Sequence, residues 1–498
     1  MKRILCLLLA LLTALSLVAC ATSEGSSGDT KNPSDTAGEA VTSDPNFTCD
    51  LPADLNYGDA EICIIYNPSN GRGEEVYSEA LGNGIVSDAV FERNVAVEEM
   101  LGVKLEFHEA TSLVSELTQD IQSGLGDFDL VTEGTNGACI PAIEGKYLNL
   151  NALENIDTSK HYWTQGYNDM ATFTSDGIQY LASGPIAISM FRYMFLTLYN
   201  KTLFTDYRIE DLYETVKAGN WTLDYQYSIA KDHYVDKDGD SKAGEGDFYG
   251  FVTGDTVSVD PYAVNADLHM IIRDPETGDL TYNTDATSKL SDLCDKVQLI
   301  YNDASVYVYK TATYDNVGEN YIIEHFAADN AMMVTTMFYA METNFESLAA
   351  KSYGIAPMPK FDQQQKEYHS YVQDQVGSYG ISAGVGDPAR QEMCAATLEA
   401  MAYHSYLLVR PAYYDTALSE RYMQDPQSKE VLDLIFDSLS FDFSSAWSDI
   451  LNPNNIRNAL RPILSGSKNT VASATKSWQR SVQRMLDKYN QQLEENTQ

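Results

Sequence analysis

Residues 103–131 read VKLEFHEATSLVSELTQDIQSGLGDFDLV, and this stretch decides the fold class. Val103 to Phe107 reads as a strand. Thr111 and Ser112 then supply a helix cap, Leu113, Val114, Leu117 and Ile121 share one helical face, and Gly124 stops the helix before the strand Phe128 to Val131. Upstream, Glu61-Ile62-Cys63-Ile64-Ile65-Tyr66 is a continuous apolar run that reads as a central strand, followed by a Gly/Asn-rich loop and a helix over 86–101 ending at Gly102. The order is βαβαβ. Such alternation implies a mainly parallel sheet covered by helices, with ligands at the carboxyl ends of the strands. The loops after Tyr66 and after Val131 are therefore cleft candidates.

Farther along, the pattern stays mixed α/β. Helices are expected near 286–302, 317–328, 388–409, 428–439 and 470–493, and strands near 195–199, 353–357 and 378–382. No internal repeat or low-complexity linker divides residues 57–498.

The chain has 498 residues and a net charge of −39, from 33 Lys and Arg against 72 Asp and Glu. Nucleic acid is not an expected partner, because its binding draws on cations placed against phosphates. Anionic lipid surfaces are disfavoured for the same reason. At 44% hydrophobic and 21% charged residues, the composition is that of an ordinary folded protein, and a prior of about 150 residues per domain gives two or three domains.

At the N-terminus, Lys2 and Arg3 precede an apolar run from Ile4 to Val18, and Leu17-Val18-Ala19-Cys20 places small residues before a cysteine. This resembles a bacterial lipoprotein signal with its lipobox, which implies that Cys20 is lipidated and becomes the mature N-terminus. A plain secretory signal or a short membrane anchor are the alternatives. The run of about 15 residues is short for a span, which needs roughly 20. Residues 21–50, rich in Ser, Thr, Gly, Asp and Glu, are expected to form a flexible tether. Cys49, Cys63, Cys139, Cys294 and Cys394 remain, an odd and scattered set that makes no disulfide framework and reads as buried thiols.

Catalytic motifs are scarce. His108, His161, His233, His269, His325, His369 and His404 never fall in an HExxH arrangement, and neither a Walker A loop nor GxGxxG occurs. Gly380-Ile381-Ser382-Ala383-Gly384 has the GxSxG form of a hydrolase nucleophile elbow. Its one downstream histidine, His404, follows no acid-then-histidine order, so a simple strand ending in small residues is the competing reading. The 72 acids leave a carboxylate pair for glycoside hydrolysis open.

In Asp236-Lys237-Asp238-Gly239-Asp240 and the seven residues after it, Asp236, Asp238, Asp240 and Asp247 occupy positions 1, 3, 5 and 12, the ligand spacing of an EF-hand-like loop. Ser241 stands where the turn glycine belongs, and Asp247 replaces the bidentate glutamate. An acidic, Gly-rich surface turn is the alternative. Apart from a structural calcium at this loop, no cofactor is expected.

Three stretches together resemble the bacterial extracellular solute-binding proteins of family 1 type, associated with carbohydrate ABC importers. Residues 176–204 end in Tyr199-Asn200-Lys201-Thr202-Leu203-Phe204, similar to their YNK-x-LF signature. Gly219-Asn220-Trp221-Thr222-Leu223-Asp224 resembles their G-x-WTxD helix entry, and Tyr353-Gly354-Ile355-Ala356-Pro357-Met358-Pro359-Lys360 their YGIAPxPK strand. The resemblance implies an α/β, two-lobed periplasmic-binding-protein-like fold of type II, its lobes joined by hinge crossings with a cleft between them. The expected parts are a signal peptide (1–20), a tether (21–50), lobe 1 (51–190 plus 381–428) and lobe 2 (191–380 plus 429–498). The GISAG stretch then belongs to a hinge crossing rather than to a catalytic elbow.

The same resemblance implies a non-enzymatic, monomeric receptor on the outer face of the cell membrane, held there by its N-terminal lipid. It would capture a small solute, a mono- or oligosaccharide, and hand it to ABC importer permease subunits. Sugars need aromatic faces for ring stacking and carboxylates, amides or guanidinium groups for hydroxyls, and 33 Tyr against 17 Phe permits this. Loop position and the family pattern select Glu133, Thr135 and Asn136 after the strand 128–131, where many relatives carry an aromatic. Ser189 and Arg192 flank the first crossing, although Arg192 has the alternative of bridging structural acids. Asp260 and Tyr262 follow the Gly254 loop, Phe338 and Tyr339 follow an apolar run, and Trp447 falls where relatives often place a stacking tryptophan. An acidic pocket would suit a cationic solute. A surface-anchored glycan hydrolase and a non-transport sensing or adhesion receptor on the same fold are the rival functions.

Overall fold

The computed structural model describes residues 48–173, 177–310, 318–418, 425–453 and 455–496. The signal-peptide, lipidation and most of the tether expectations, Cys20 included, lie outside these residues. Fourteen strands occur among them: β1 (Ala60–Tyr66), β2 (Val103–Glu109), β3 (Leu130–Gly134), β4 (Phe195–Asn200), β5 (Tyr234–Val235), β6 (Phe248–Gly254), β7 (Ile271–Arg273), β8 (Leu280–Tyr282), β9 (Val306–Tyr309), β10 (Ala331–Met337), β11 (Tyr353–Pro357), β12 (Ser370–Tyr371), β13 (Gly377–Ile381) and β14 (Leu439–Ser440). They form two main sheets, ordered β13-β3-β1-β2 and β11-β4-β10-β6-β5, with β9 also paired to β6.

The first sheet is the βαβαβ unit of the opening stretch. β1 pairs in parallel with β2 and β3, and β13 closes the sheet antiparallel to β3. Its two connecting helices, Ile85–Leu101 and Leu113–Ser123, end on Gly102 and Gly124 at φ 60° and 68°. Both glycines take the left-handed conformation that a C-terminal cap asks for, which is why each helix stops there. In the second sheet β10 runs parallel to β6 and antiparallel to β4, so the start of β4 (Phe195) lies beside the end of β10 (Met337). Every residue of β4, β6, β10 and β11 is buried, as expected of central strands covered on both faces.

The chain leaves the first sheet before β4 and returns at Gly377, which pairs with Gly134 at the carboxyl end of β3. The carboxyl ends of β1, β3 and β10 therefore converge on the crossing segments. The GISAG stretch lies elsewhere. Ile381 pairs with Leu130 at the opposite end of β3, so the expectation of a hinge position for it is corrected: the strand has already carried the chain away from the crossing. Ser382 is fully buried, and its hydroxyl accepts from the Gly384 N–H, an environment of a strand end rather than of an exposed nucleophile.

Cys139, Cys294 and Cys394 are buried, Cys49 and Cys63 half-buried, and all five are free thiols. Among the described residues no helix is long and apolar enough to cross a membrane.

One buried group makes stability depend on acid. His404 ends the helix Pro388–His404, and its Nε2 is buried without a hydrogen-bond partner. Burial, reinforced by the nearby Arg93 guanidinium, holds its imidazole down at about 4. A histidine depressed in the folded state contributes stability above its unfolded value of about 6.5, and that contribution is lost as pH falls toward 4. Chemical denaturation at a series of pH values should show a loss of at most about 3 kcal/mol from this group. In His404→Leu the slope between pH 6.5 and 4 should flatten, and an unchanged slope would refute the assignment.

Candidate functional site

The loop after β1 turns back through Asn70, a left-handed residue at φ 59°, and delivers Asn67, Asn70 and Arg72 to the seam between the two sheets. Arg72 is 3% exposed and donates through Nη2 to Glu133 Oε1 at 3.0 Å. Its Nη1 reaches the carbonyl and side-chain oxygens of Gln375 at 3.3 and 3.1 Å. Asn67 Nδ2 donates to both Glu133 oxygens, at 3.1 and 2.8 Å, and Asn70 Nδ2 to Gln375 Oε1 at 2.9 Å. Two loops of the first sheet and the returning crossing are thus tied through one buried ion pair, with Asn70 and Gln375 left partly accessible.

Beneath them lies a hinge knot. Glu75 is fully buried and accepts from the Ser189 N–H at 2.7 Å and the Ser189 hydroxyl at 3.1 Å. The same hydroxyl accepts from Gly377 N–H at 2.8 Å, so the two crossings meet on one oxygen. Burial raises the Glu75 carboxyl pKa, and the Ser189 donors with Arg72 and Arg192 oppose it. A Cβ at position 377 would stand 2.1 Å from Glu75 Oε1, a close approach that only glycine permits.

Arg192 spans the seam. Its Nη2 donates to Glu74 Oε2 at 2.8 Å and Nη1 to the Gly71 carbonyl at 3.2 Å, both after β1, while Nε donates to Glu342 Oε2 at 2.9 Å, after β10. Tyr413 donates to the other Glu342 oxygen. Next to it, Tyr193 donates to the Asn70 carbonyl at 2.5 Å, and its ring lies 5.4 Å from that of Tyr339. Tyr339 is only half-buried, so an aromatic face, two amides, a guanidinium and carboxylates share one seam. This donor and acceptor set suits a hydroxyl-rich ligand.

The sequence candidates fall into two groups. Glu133, Asn136, Ser189, Arg192 and Tyr339 come together at or under the seam; the Asn136 Oδ1 and Arg72 Nη1 both stand beside Gly134, 3.1 and 2.9 Å from where a Cβ would be. Thr135 lies just below it, fully buried, with its hydroxyl 2.6 Å from Ser378 Oγ and 3.0 Å from Tyr167 Oη. The second group is packed inside. Asp260 is held by Arg461 through two bonds of 2.7 and 2.6 Å, Tyr262 packs edge-on to Tyr301, and Phe338 is fully buried against Phe436. Trp447 is 0% exposed, its ring 4.4 Å from Phe173 and its indole N–H 3.0 Å from Met170 Sδ. Residue-by-residue reading missed Asn67, Asn70, Arg72, Tyr193, Glu342 and Gln375. The cleft assignment of the loop after Tyr66 was the one signal for the first three.

Asp236, Asp238 and Asp240 are exposed, and each offers a carboxylate oxygen within 4.8 Å of the others. Asp247 is not in that cluster. It is fully buried and accepts from Lys237 N, Gly244 N and Tyr234 Oη at 3.0, 3.0 and 3.1 Å. Three of the four expected donors fit a hard cation; the fourth closes the loop from below.

No protein-family model matches this chain, and no curated protein does. Solved structures do match. An ABC substrate-binding protein from Listeria monocytogenes in complex with cycloalternan aligns at 14% identity over 87% of this chain and 99% of its own, with a TM-score of 0.51. A cyclo/maltodextrin-binding protein complexed with maltotetraose aligns at 13% over 86% and 97%, TM-score 0.54. A sugar transporter from Rhizobium etli in an open conformation aligns at 14% over 84% and 99%, TM-score 0.54. At such identity the likeness speaks for architecture, and it spans nearly the whole length of each partner. With the two sheets and the crossings between them, it identifies this chain as having the two-lobed α/β fold of the substrate-binding proteins of sugar ABC importers.

Proposed function

We propose that this protein is a lipid-anchored, extracytoplasmic receptor of an ABC importer, which captures a carbohydrate by hinge closure and delivers it to a membrane permease. The observation that carries the reading is the seam: Arg192 contacts loops of both sheets, beside the accessible Asn70, Gln375 and Tyr339. A ligand that touches both sides favours the closed arrangement by its differential affinity for it. The sugar-bound neighbours of the same fold support carbohydrate as the solute class.

A thermal-shift screen of the protein against monosaccharides, oligosaccharides, amino acids, peptides and polyamines tests it. A ligand at 100 times its dissociation constant adds about 2.7 kcal/mol. A glycan that raises Tm and is recovered intact supports the receptor; a cleaved glycan assigns a hydrolase, and a shift by a non-sugar alone removes carbohydrate as the solute.

A structural calcium ion held by Asp236, Asp238 and Asp240 is a separate part of the reading, supported by the convergence of their oxygens. Calcium is expected to raise Tm of the native protein and to leave Tm of Asp238→Ala plus Asp240→Ala unchanged. Equal behaviour of the two proteins would refute it.

A further inference from the structure

Far along the chain from the seam-forming loops, the C-terminal helix Val471–Asn496 carries Lys476, Arg480, Arg484 and Lys488 at intervals of four residues. Residues four apart lie on one helical face, so these cations form a ridge roughly 18 Å long. All four are exposed, and none forms an ion pair among the described residues. By contrast, Arg72, Arg192, Arg390, Arg457 and Arg461 each hold a carboxylate.

The ridge borders a groove of about 740 Å³ between this helix and the β7–β8 hairpin, lined by Arg480, Arg484, Gln479, Gln483, Asn283 and Thr284 among others. The groove is braced: Gln483 Oε1 accepts from Thr281 Oγ1 at 3.0 Å and from Tyr282 N–H at 2.8 Å, fixing helix to hairpin. Tyr282, also in its wall, is 5% exposed, and its hydroxyl has no partner. Asp274 accepts from Glu276 N and Thr277 N at 2.8 and 3.0 Å, which holds it ionised, and with Asp285 it forms the acidic side of the lining.

We infer that this groove is a second binding site, distinct from the seam, for an anionic oligosaccharide with carboxylate-bearing rings. Guanidinium forks match carboxylates bidentately, the amides and hydroxyls match vicinal hydroxyls, and Ile272 and Pro275 offer apolar surface for a ring face. The volume is that of a small-molecule site. The many acids elsewhere on the chain are screened beyond about 8 Å at physiological salt, so the charges such a ligand meets are the cations of the ridge set against Asp274 and Asp285 of the lining.

Titration calorimetry of the full chain with a tetragalacturonate tests the inference, with maltotetraose, polyglutamate and anionic phospholipid vesicles as comparisons. Tetragalacturonate should bind more weakly as salt rises, and Arg480→Glu plus Arg484→Glu should cost at least tenfold in its affinity with Tm unchanged. A ligand of the seam, once identified, should not compete with it. No binding, equal binding by the double variant, competition with the seam ligand, or binding of polyglutamate or vesicles as tightly as tetragalacturonate would each overturn it.

Discussion

Trp447→Ala is expected to lower the unfolding free energy by about 3–5 kcal/mol, the range for deleting a large buried aromatic, while leaving the ligand affinity of the folded fraction unchanged. The indole is 0% exposed and wedged between Phe173 and Phe443, whose ring centroids lie 4.4 and 5.9 Å away. Its N–H is already bonded to Met170 Sδ at 3.0 Å, so the replacement removes a packed ring and a hydrogen bond together. Urea denaturation measures the first quantity, and calorimetric titration of the best-binding glycan under native conditions measures the second. A variant that keeps its stability but loses the ligand would return Trp447 to the binding surface.

The physical reason that such residues mislead lies in what local pattern encodes. The βαβαβ order, the stops at Gly102 and Gly124 and the strands at 195–200 and 353–357 follow from periodicity and backbone chemistry within a short window, and these were legible. Whether an aromatic faces ligand or core depends on what distant segments of the chain bring to it. Trp447 meets Phe173, which lies more than 270 positions earlier, and nothing near either residue announces the other. Arg192 illustrates the reverse case. Its alternative as a bridge between acids was visible from its type, but its partners Glu74 and Glu342 sit on loops of different sheets and could be named only once the crossings were traced. Loop position served better: the turn after Tyr66 holds Asn67, Asn70 and Arg72, as strand-end logic expects. The acidic loop shows the limit of spacing, since Asp236, Asp238 and Asp240 converge while the twelfth-position Asp247 is turned inward by three hydrogen bonds.

Arg192→Met is expected to weaken glycan binding by about tenfold to a hundredfold, or roughly 1.4–2.8 kcal/mol. The guanidinium is 12% exposed and holds Glu74 from one side of the seam and Glu342, itself 16% exposed, from the other. On the proposed hinge closure, rotating the lobes apart breaks one of these pairs, because their acceptors belong to loops of different sheets. The pairs therefore stabilise the closed arrangement more than the open one, and a ligand that requires closure draws on that difference. Methionine keeps much of the side-chain volume but leaves Glu342 as a shielded carboxylate with only Tyr413 to satisfy it, which penalises the closed state further. The loss should come through the conformational equilibrium rather than through a missing ligand contact. Small-angle scattering then provides the discriminating readout: the unliganded variant should have a larger radius of gyration than the unliganded native protein, and saturating glycan should bring both to the same value. If affinity falls with no change in the unliganded scattering, Arg192 binds the glycan directly and the closure argument fails.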